Sequence, residues 1–465
     1  MSDDTFDMKT TFPRQVSVIG AARSGMAAAR YFTDRGVRVF ISDSCSSEKM
    51  KKLIAENNLS GCAWEAQSHT DTVLDTDLII LSPGVSSDIP VLVKAKNRSI
   101  PVWSEMELGF RVSSAKFLAV TGSTGKSTTV SLAGAALSAA GIENIVAGNI
   151  GLPVISEVPR ISADGYVVAE VSSFQLETID RFRPASAAIL NLMKNHLDRY
   201  PSEEAYYEAK KAIARNMTDD NYLILNANDM LLRVWGAALA GRVHLVWFGA
   251  DVGEDDAFWC EGTLLHYRFN GVPGSIGDLA SMKLRGWHNH DNAAVAAALA
   301  KTAGADDGSI FRGLCSFTGL PHRLEFISRI NGVSWYNDSK STTAESIDCA
   351  VRAFPEGVHL IAGGKDKGCD FSVVNEAVSR YVKDIVLIGE AAGRIEKQWS
   401  GLAPITRATT LQEAVEKVQA DAHPGETVVF SPGCSSFDMF RDFEDRGERF
   451  RAMVLGLRTA ESIDE

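Results

Sequence analysis

Residues 117–129, FLAVTGSTGKSTT, constrain the fold more than any other stretch. The apolar run Phe117 to Val120 predicts a buried parallel strand. It stops at Thr121-Gly122, a tight Ser123-Thr124-Gly125 loop follows, and Lys126-Ser127-Thr128 opens the helical pattern VSLAGAALSAAG. Strand, glycine loop and helix in that order form the setting a phosphate-binding loop requires. A helix N-terminus offers unpaired N–H groups and a positive dipole to a polyphosphate. Gly122 and Gly125 let the backbone wrap an anion closely. Lys126 reaches the outer phosphates, and the Ser127 hydroxyl suits Mg²⁺. The loop is shorter than the general G-x-x-x-x-G-K-[ST] form, which points to a particular class of nucleotide user.

A chain of this length has room for about three domains. Its apolar share of 45% is enough to bury real cores. A formal net charge of −12 argues against a nucleic-acid partner. Holding anionic ligands then falls to helix N-termini and single cations. The cysteines at 45, 62, 260, 315, 349, 369 and 434 are scattered, with no C-x-x-C pair. Neither a disulfide framework nor a zinc site is expected, and reduced cytoplasmic thiols are. The acidic start MSDDTFDMKT reads as no signal peptide. No run approaches the ~18 apolar residues of a membrane helix.

Along the chain, VSVIG (16–20), a GAARSG loop, an alanine-rich helix from Met26 and VRVFISD ending at Asp43 make a βαβ start similar to a dinucleotide-binding crossover. Ala22 stands where that fingerprint has its second glycine. A further strand, Asp77 to Leu81, runs into Ser82-Pro83-Gly84. Ligands of open α/β sheets bind at the carboxyl ends of strands, which would gather Gly20, Gly25, Asp43 and Ser82 to Gly84. The central part reads as a strand over 166–177, a strand over 187–191, a helix over 203–216 and strands at 222–229 and 244–249. An irregular β-rich stretch over 251–285 and a helix over 286–304 follow. Beyond Leu320, Asn331-Gly332 between alternating apolar residues predicts a hairpin. VHLIAGG, DIVLIGE and TVVFSPG then alternate with helical patterns. The fold class is therefore α/β with three consecutive domains, 1–113, 114–319 and 320–465. The outer two are Rossmann-like, the middle one is a P-loop ATPase-like domain with a mostly parallel sheet, and the clefts between them suit substrates.

Glu170, at a strand end beside the loop strand, can hold Mg²⁺ against phosphates, or cap a helix. His196 and Asp198 follow a strand end in the same way. Lys210 or Lys211 is either a solvated surface cation or, if buried and neutral, an amine able to take up CO₂ as a carbamate. Arg323 and the run Asp338-Ser339-Lys340-Ser341-Thr342 suit ribose and phosphate contacts. GGKDKG (363–368) offers two cations to an anion, and SPGCSSFDMF (431–440) offers hydroxyls at a helix start. FRDFEDRGERF reads as an ordinary amphipathic helix.

Taken in order, TGSTGKST, EVSSFQLE, HLDRY, HNHDNA, GLPHRLE, NDSKSTT, GGKDKG and SPGCSSFDMFRDFEDRG resemble the Mur ligases, the ATP-dependent amide ligases of peptidoglycan precursor synthesis. The resemblance covers almost the whole chain. It is strongest to the member that adds D-glutamate to UDP-N-acetylmuramoyl-L-alanine. The D-N-P-R motif of the tripeptide-forming relatives is absent, and the folate relative generally lacks the extra N-terminal nucleotide domain. The chain departs from the family pattern at Cys45, at Thr124 and at Met193-Lys194-Asn195 before His196.

The resemblance implies a cytoplasmic, monomeric enzyme using ATP and two Mg²⁺, with UDP-N-acetylmuramoyl-L-alanine and D-glutamate as small-molecule substrates and cell-wall synthesis, cell shape and cell division as its setting. It implies that Gly122, Ser123, Thr124, Gly125, Lys126, Ser127 and Thr128 bind ATP phosphates, together with Asn289, Asn292, Arg323 and Asp338. Lys126, His196, Lys210 and Lys340 would be the catalytic set. Ser127, Glu170, His196 and a carbamylated Lys210 would hold the metals, Lys210 being chosen because Tyr206 to Lys210 matches the family's Y-x-x-A-K. Ser24, Gly25, Asp43, Ser44, Ser82, Pro83, Gly84 and Asn149 would hold the UDP-sugar. Thr342, Lys367, Ser436, Phe437 and Phe443 would frame D-glutamate. A sibling ligase adding another amino acid, a nucleotide-dependent oxidoreductase built on residues 16–43, and a non-catalytic P-loop binding protein are the competing readings.

Overall fold

The computed structural model describes residues 8, 11–197 and 199–457. Three sheets organise it. In the first, β1 (Gln15–Ile19), β2 (Arg38–Asp43), β3 (Ala63–Ala66), β4 (Leu78–Leu81) and β5 (Val102–Ser104) lie in the order β3-β2-β1-β4-β5, all parallel. The order reverses at β1, so the loops after β1 and β4 flank one crevice at the strand ends. Buried Val16, Val18 and Ile19 explain why β1 is central: it is covered on both faces. The helix after it runs Arg23–Thr33, starting a turn earlier than the Met26 expected, because Ala22 already has extended N-cap geometry.

The second sheet holds β6 (Lys116–Thr121), β7 (Asn144–Gly148), β8 (Tyr166–Glu170), β9 (Ser186–Ile189), β10 (Tyr222–Asn226), β11 (His244–Phe248), β12 (Ala257–Glu261), β13 (Leu264–Phe269) and β14 (Val272–Asp278). Their order is β14-β13-β12-β11-β10-β9-β6-β8-β7. It is parallel up to β12, and the last two pairings are antiparallel. The stretch 166–177 is not one strand. It ends at Glu170, and Ser172 and Gln175 form a reciprocal capping box that starts the helix Ser173–Leu176. Asn270-Gly271, in the stretch expected to be irregular, closes the β13–β14 hairpin with φ of 51° and 72°.

One continuous apolar cluster contains side chains from both of these sheets, from Val16 to Ala257. Phe110, Phe117 and Phe182 meet edge-to-face at 5.4–5.8 Å within it, each pair worth about 1 kcal/mol beyond its burial. The helix Glu105–Val112 is fixed there by Glu107, which accepts from the Asp180, Arg181 and Phe182 amides and from Arg111.

A second compact unit comprises Met282–Asn289 and the chain from Phe317 onward. Its sheet has β15 (Glu325–Ile330), β16 (Val333–Asn337), β17 (Val358–Gly363), β18 (Val382–Ile388), β19 (Ile405–Arg407) and β20 (Thr427–Phe430), ordered β15-β16-β20-β17-β18-β19. Only the β15–β16 hairpin is antiparallel, turned by Asn331-Gly332 at φ 49° and 78°. Two apolar clusters pack its faces, one around Trp399 and Phe354, the other around Trp335 and Phe450.

All seven cysteines are free thiols. No helix among the described residues is long and apolar enough to cross a membrane.

Candidate functional site

The crevice of the first sheet is drawn tight by its own backbone. A Cβ on Gly25 would stand 1.9 Å from the Gly20 carbonyl oxygen, so only glycine fits there. Ser82 Oγ donates to that same carbonyl at 2.7 Å. Asp43 accepts from the Ala21 amide at 2.6 Å and the Cys45 amide at 2.7 Å. Burial pushes its carboxyl up, and the two amides outweigh that and hold it below the usual range. Gly25, Asp43, Ser82 and, through their neighbours, Ser24, Ser44, Pro83 and Gly84 therefore surround the ends of β1, β2 and β4. Asn149 lies instead at the end of β7, where its Nδ2 donates to Glu170 Oε1 at 2.7 Å.

The phosphate loop joins β6 to the helix Lys126–Ala139. Gly125 is its N-cap at φ 83°, a left-handed geometry natural to glycine. Lys126 Nζ folds back onto the Gly122 and Ser123 carbonyls at 2.8 and 3.1 Å. Asn191, which sequence reasoning passed over, braces the loop: its Oδ1 accepts from the Ser123 and Thr124 amides at 2.9 and 3.0 Å. Its Nδ2 reaches Thr124 Oγ1 at 3.2 Å, so the threonine at this family-variant position is built into the brace. Asn292, buried on the helix His288–Thr302, accepts from Thr129 Oγ1 at 3.0 Å beside Gly125. Asn289 is also buried, with Nδ2 on the Arg285 carbonyl. Ser127 is buried and Thr128 half-buried in the first helical turn.

Glu170 ends β8 in register with Val120 of β6. Its Oε2 is buried and has no hydrogen-bond partner, and a carboxylate oxygen left so is suited to a cation. Lys210 is 1% exposed and donates to the Gly122 carbonyl at 2.8 Å, with Nζ 4.5 Å from the centre of the Tyr206 ring. Burial first, then the charge of Lys126, brings its pKa from 10.5 down to about 6, against a pull from Glu170. Lys211, by contrast, pairs with Glu208 at 2.8 Å. His196 is exposed at φ 54°, its ring edge-on to Phe174 at 5.0 Å and to Tyr206 at 5.7 Å. Lys194 pairs with Glu203 at 3.5 Å. Asp198 lies outside the described residues. Among those described, no three His, Cys, Asp or Glu side chains converge. The Ser127 hydroxyl and the Glu170 carboxylate are the groups at this loop with the chemistry to hold a divalent ion.

In the second unit, Asp338 follows β16. It accepts from the Leu324 amide at 3.1 Å and from Ser431 Oγ at 2.8 Å. Burial pushes its carboxyl up to about 7, with these bonds and the Arg323 and Arg446 charges pulling the other way. The Lys340 amide donates to the His322 carbonyl, and its Nζ lies 5.1 Å from the centre of the Phe443 ring. Thr342 follows, half-buried. Ser436 is buried, Phe437 is 68% exposed, and the Phe443 ring meets His322 edge-on.

Three expectations change here. No helix starts at SPGCSSFDMF: Ser436–Phe440 is a turn, and the helix Phe443–Gly456 begins later, capped by Asp442 on the Asp445 amide. A carboxylate already fills that N-terminus. In GGKDKG, Lys365 is paired with Glu390 at 2.5 Å and Asp366 with Arg394, which leaves the exposed Lys367 as the loop's outward cation. The helix from Phe443 is also not ordinary. Its Arg446 is fully buried, donating to Ser339 Oγ and O and to the Cys434 carbonyl at 2.7–3.0 Å. Burial lowers this guanidinium to about 10, so it stays charged and pins the loops after β16 and β20 together. A cation on the apolar side of an amphipathic pattern was the available signal.

Family models match the chain in three blocks: residues 14–104 as a Mur ligase MurD-like N-terminal domain, 120–300 as a Mur ligase middle domain and 322–434 as a Mur ligase glutamate ligase domain. The UDP-N-acetylmuramoylalanine–D-glutamate ligase of Geotalea daltonii is 40% identical over 445 residues, 96% of this chain and 98% of its own. That of Acidobacterium capsulatum is 42% identical over 450 residues, covering 96% and 97%. Among solved structures, the UDP-N-acetylmuramate–alanine ligase MurC of Thermotoga maritima aligns with a TM-score of 0.60 at 19% identity, over 97% of this chain and all of its own. MurF of Acinetobacter baumannii aligns at 0.61 and 16%, over 95% and 93%. Loop, sheet order and full-length similarity converge, and the chain belongs to the Mur ligase family.

Proposed function

We propose that this chain is an ATP-dependent amide ligase that adds D-glutamate to UDP-N-acetylmuramoyl-L-alanine in peptidoglycan precursor synthesis. The observation that carries the reaction class is a buried, near-neutral Lys210 resting on a phosphate loop beside the half-satisfied Glu170. The choice of substrates is supported by the full-length relatives named for them. A carboxylate is a poor acyl donor because its leaving group would be oxide. The alanyl carboxylate therefore takes the γ-phosphoryl group of ATP, giving an acyl phosphate and ADP. The amine of D-glutamate attacks the acyl carbon, a tetrahedral oxyanion forms, and phosphate departs with the C–O bond electrons as the amine loses a proton.

Each step concentrates negative charge, so the protein's part is positioning and cationic stabilisation. Lys126 and the loop amides would hold the outer phosphates, and Lys340 would supply positive charge to the transferring group. Asn289, Asn292, Arg323 and Asp338 place the nucleotide. Lys210 is suited to hold carbamate, because a neutral amine can attack CO₂ and release a proton, yielding a long anionic side chain. Ser127, Glu170, His196 and that carbamate would hold two Mg²⁺, which when bound neutralise phosphate charge. Gly25, Asp43 and Ser82 to Gly84 would bind the UDP-sugar as a remote handle whose binding energy orients the carboxylate. Thr342, Lys367, Ser436, Phe437 and Phe443 would receive D-glutamate. We place the reaction in the cytoplasm, where ATP and the nucleotide sugar are found, and expect a monomer.

Phosphate release from ATP and UDP-N-acetylmuramoyl-L-alanine, measured with D-glutamate, L-glutamate, L-alanine, L-lysine and meso-diaminopimelate, tests this. Turnover with D-glutamate alone is expected. Turnover with another amino acid would assign a sibling activity, and none at all, with ATP still bound, would leave a binding protein.

A further inference from the structure

Two loops from different sheets meet at one guanidinium. Arg199 lies between His196 and the helix Glu203–Lys211. Its Nη1 donates to the Pro83 carbonyl at 3.1 Å, in the loop after β4. Its Nε and Nη2 hold the Glu177 carboxylate at 3.2 and 2.7 Å. Glu177 also accepts from Tyr200 Oη at 2.6 Å and, across the same junction, from Ser87 Oγ at 2.9 Å. The two charged side chains are only 14% and 13% exposed, so this is a desolvated, bidentate pair rather than a surface contact of little worth.

From it a chain of ring contacts leads to the phosphate loop. The guanidinium sits 4.2 Å above the Phe174 ring, and Phe174 meets His196. Tyr200 packs on Tyr206 at 5.3 Å, and Tyr206 lies under Lys210. A handle bound on the first sheet can orient a distant carboxylate only if that sheet's loop is held in fixed register with the phosphate loop, and a misplacement of about 1 Å costs roughly a hundredfold in rate.

We propose that Arg199 and Glu177 are positioning residues that set this register: they fix where the Ser82–Gly84 loop, and a nucleotide-sugar substrate on it, stands relative to His196 and Lys210. The proposal rests on the ligase reading above. Lysine at 199 cannot replace arginine, because one ammonium cannot grip both carboxylate oxygens and the Pro83 carbonyl in a planar fork.

The test compares Arg199→Lys, Glu177→Gln and the milder Ser87→Ala with the unmodified enzyme. The readouts are kcat, KM for UDP-N-acetylmuramoyl-L-alanine, ATP dissociation constant and melting temperature. Arg199→Lys and Glu177→Gln should raise the KM for the UDP-sugar substrate about tenfold and lower kcat about tenfold, with ATP affinity within about twofold. Ser87→Ala should move the same two parameters in the same direction by about threefold. The proposal is overturned if all three variants keep the unmodified kcat and KM, or if ATP affinity falls in step with them. Should the charged variants not fold, Ser87→Ala decides alone. An unmodified enzyme without amino-acid-dependent turnover would overturn the ligase reading instead, and is seen before any variant is made.

Discussion

Replacing Lys210 with methionine should make the protein inactive and more stable. Folding brings this amine from a pKa of 10.5 to about 6, so at pH 7 the folded chain holds it neutral while the unfolded chain would protonate it. The roughly 3.5 pH units between 10.5 and 7 correspond to a cost of about 5 kcal/mol. Methionine, of similar length, removes that cost. It forfeits the hydrogen bond to the Gly122 carbonyl and the weak contact of the neutral amine with the Tyr206 ring, together about 2 kcal/mol. A net stabilisation on the order of 3 kcal/mol remains.

The pH dependence gives the sign a second check. Between about 6 and 10.5 only the unfolded chain carries the extra proton, so stability of the unmodified protein climbs by about 1.4 kcal/mol per pH unit from this group. The methionine variant lacks that climb, and the gap closes near pH 9. Urea unfolding followed by tryptophan fluorescence at pH 7 and pH 9, in metal-free buffer purged of CO₂, measures both. A variant less stable than its parent at pH 7, or a gap that does not change with pH, would refute a buried neutral amine at this position.

Lys210→Ala should be nearly inactive and partly restored by added short carboxylates in turnover assays; activity without any addition would make Lys210 a bystander. Asn191→Ala removes the acceptor that braces the Ser123 and Thr124 amides, and ATP affinity should fall about tenfold by titration calorimetry. Arg446→Ala strips three hydrogen bonds from buried partners and should destabilise the second unit by about 3–5 kcal/mol in chemical denaturation. His359 is pulled down by burial, but Asp384 and Glu426 on its two ring nitrogens raise its pKa overall. Its stabilising contribution is complete below pH 6.5 and is lost as pH rises through the raised value. The stability gap to His359→Asn should therefore shrink above pH 6.5 in a pH series of melting curves.

The parts of this molecule legible in its sequence are those with local causes. The strand–loop–helix around Lys126, the first βαβ crossover and the Asn331-Gly332 hairpin each depend on neighbouring residues, and so they could be read from period and turn chemistry. Asn270-Gly271 carried the same hairpin signal inside a stretch whose weak alternation hid it. The bracing of the site was not legible, because its partners are far apart in the chain. Asn191 and Ser123 are separated by 68 residues, Arg446 and Ser339 by 107. Such pairs exist only once sheet order has set the strand ends side by side. Burial has the same origin: the choice between Lys210 and Lys211 turns on which face of one helix the sheet covers, and adjacent residues look alike until it does.

The central claim is that phosphate leaves from an acyl phosphate made on the alanyl carboxylate. Substrate labelled with ¹⁸O in both oxygens of that carboxylate tests it most directly, with D-glutamate and ATP present and the released phosphate analysed by mass spectrometry. Each phosphate should carry a single ¹⁸O, and the amide product should retain the other. Unlabelled phosphate would mean that ATP is hydrolysed by water, and the account of what this loop and its lysines do would be wrong.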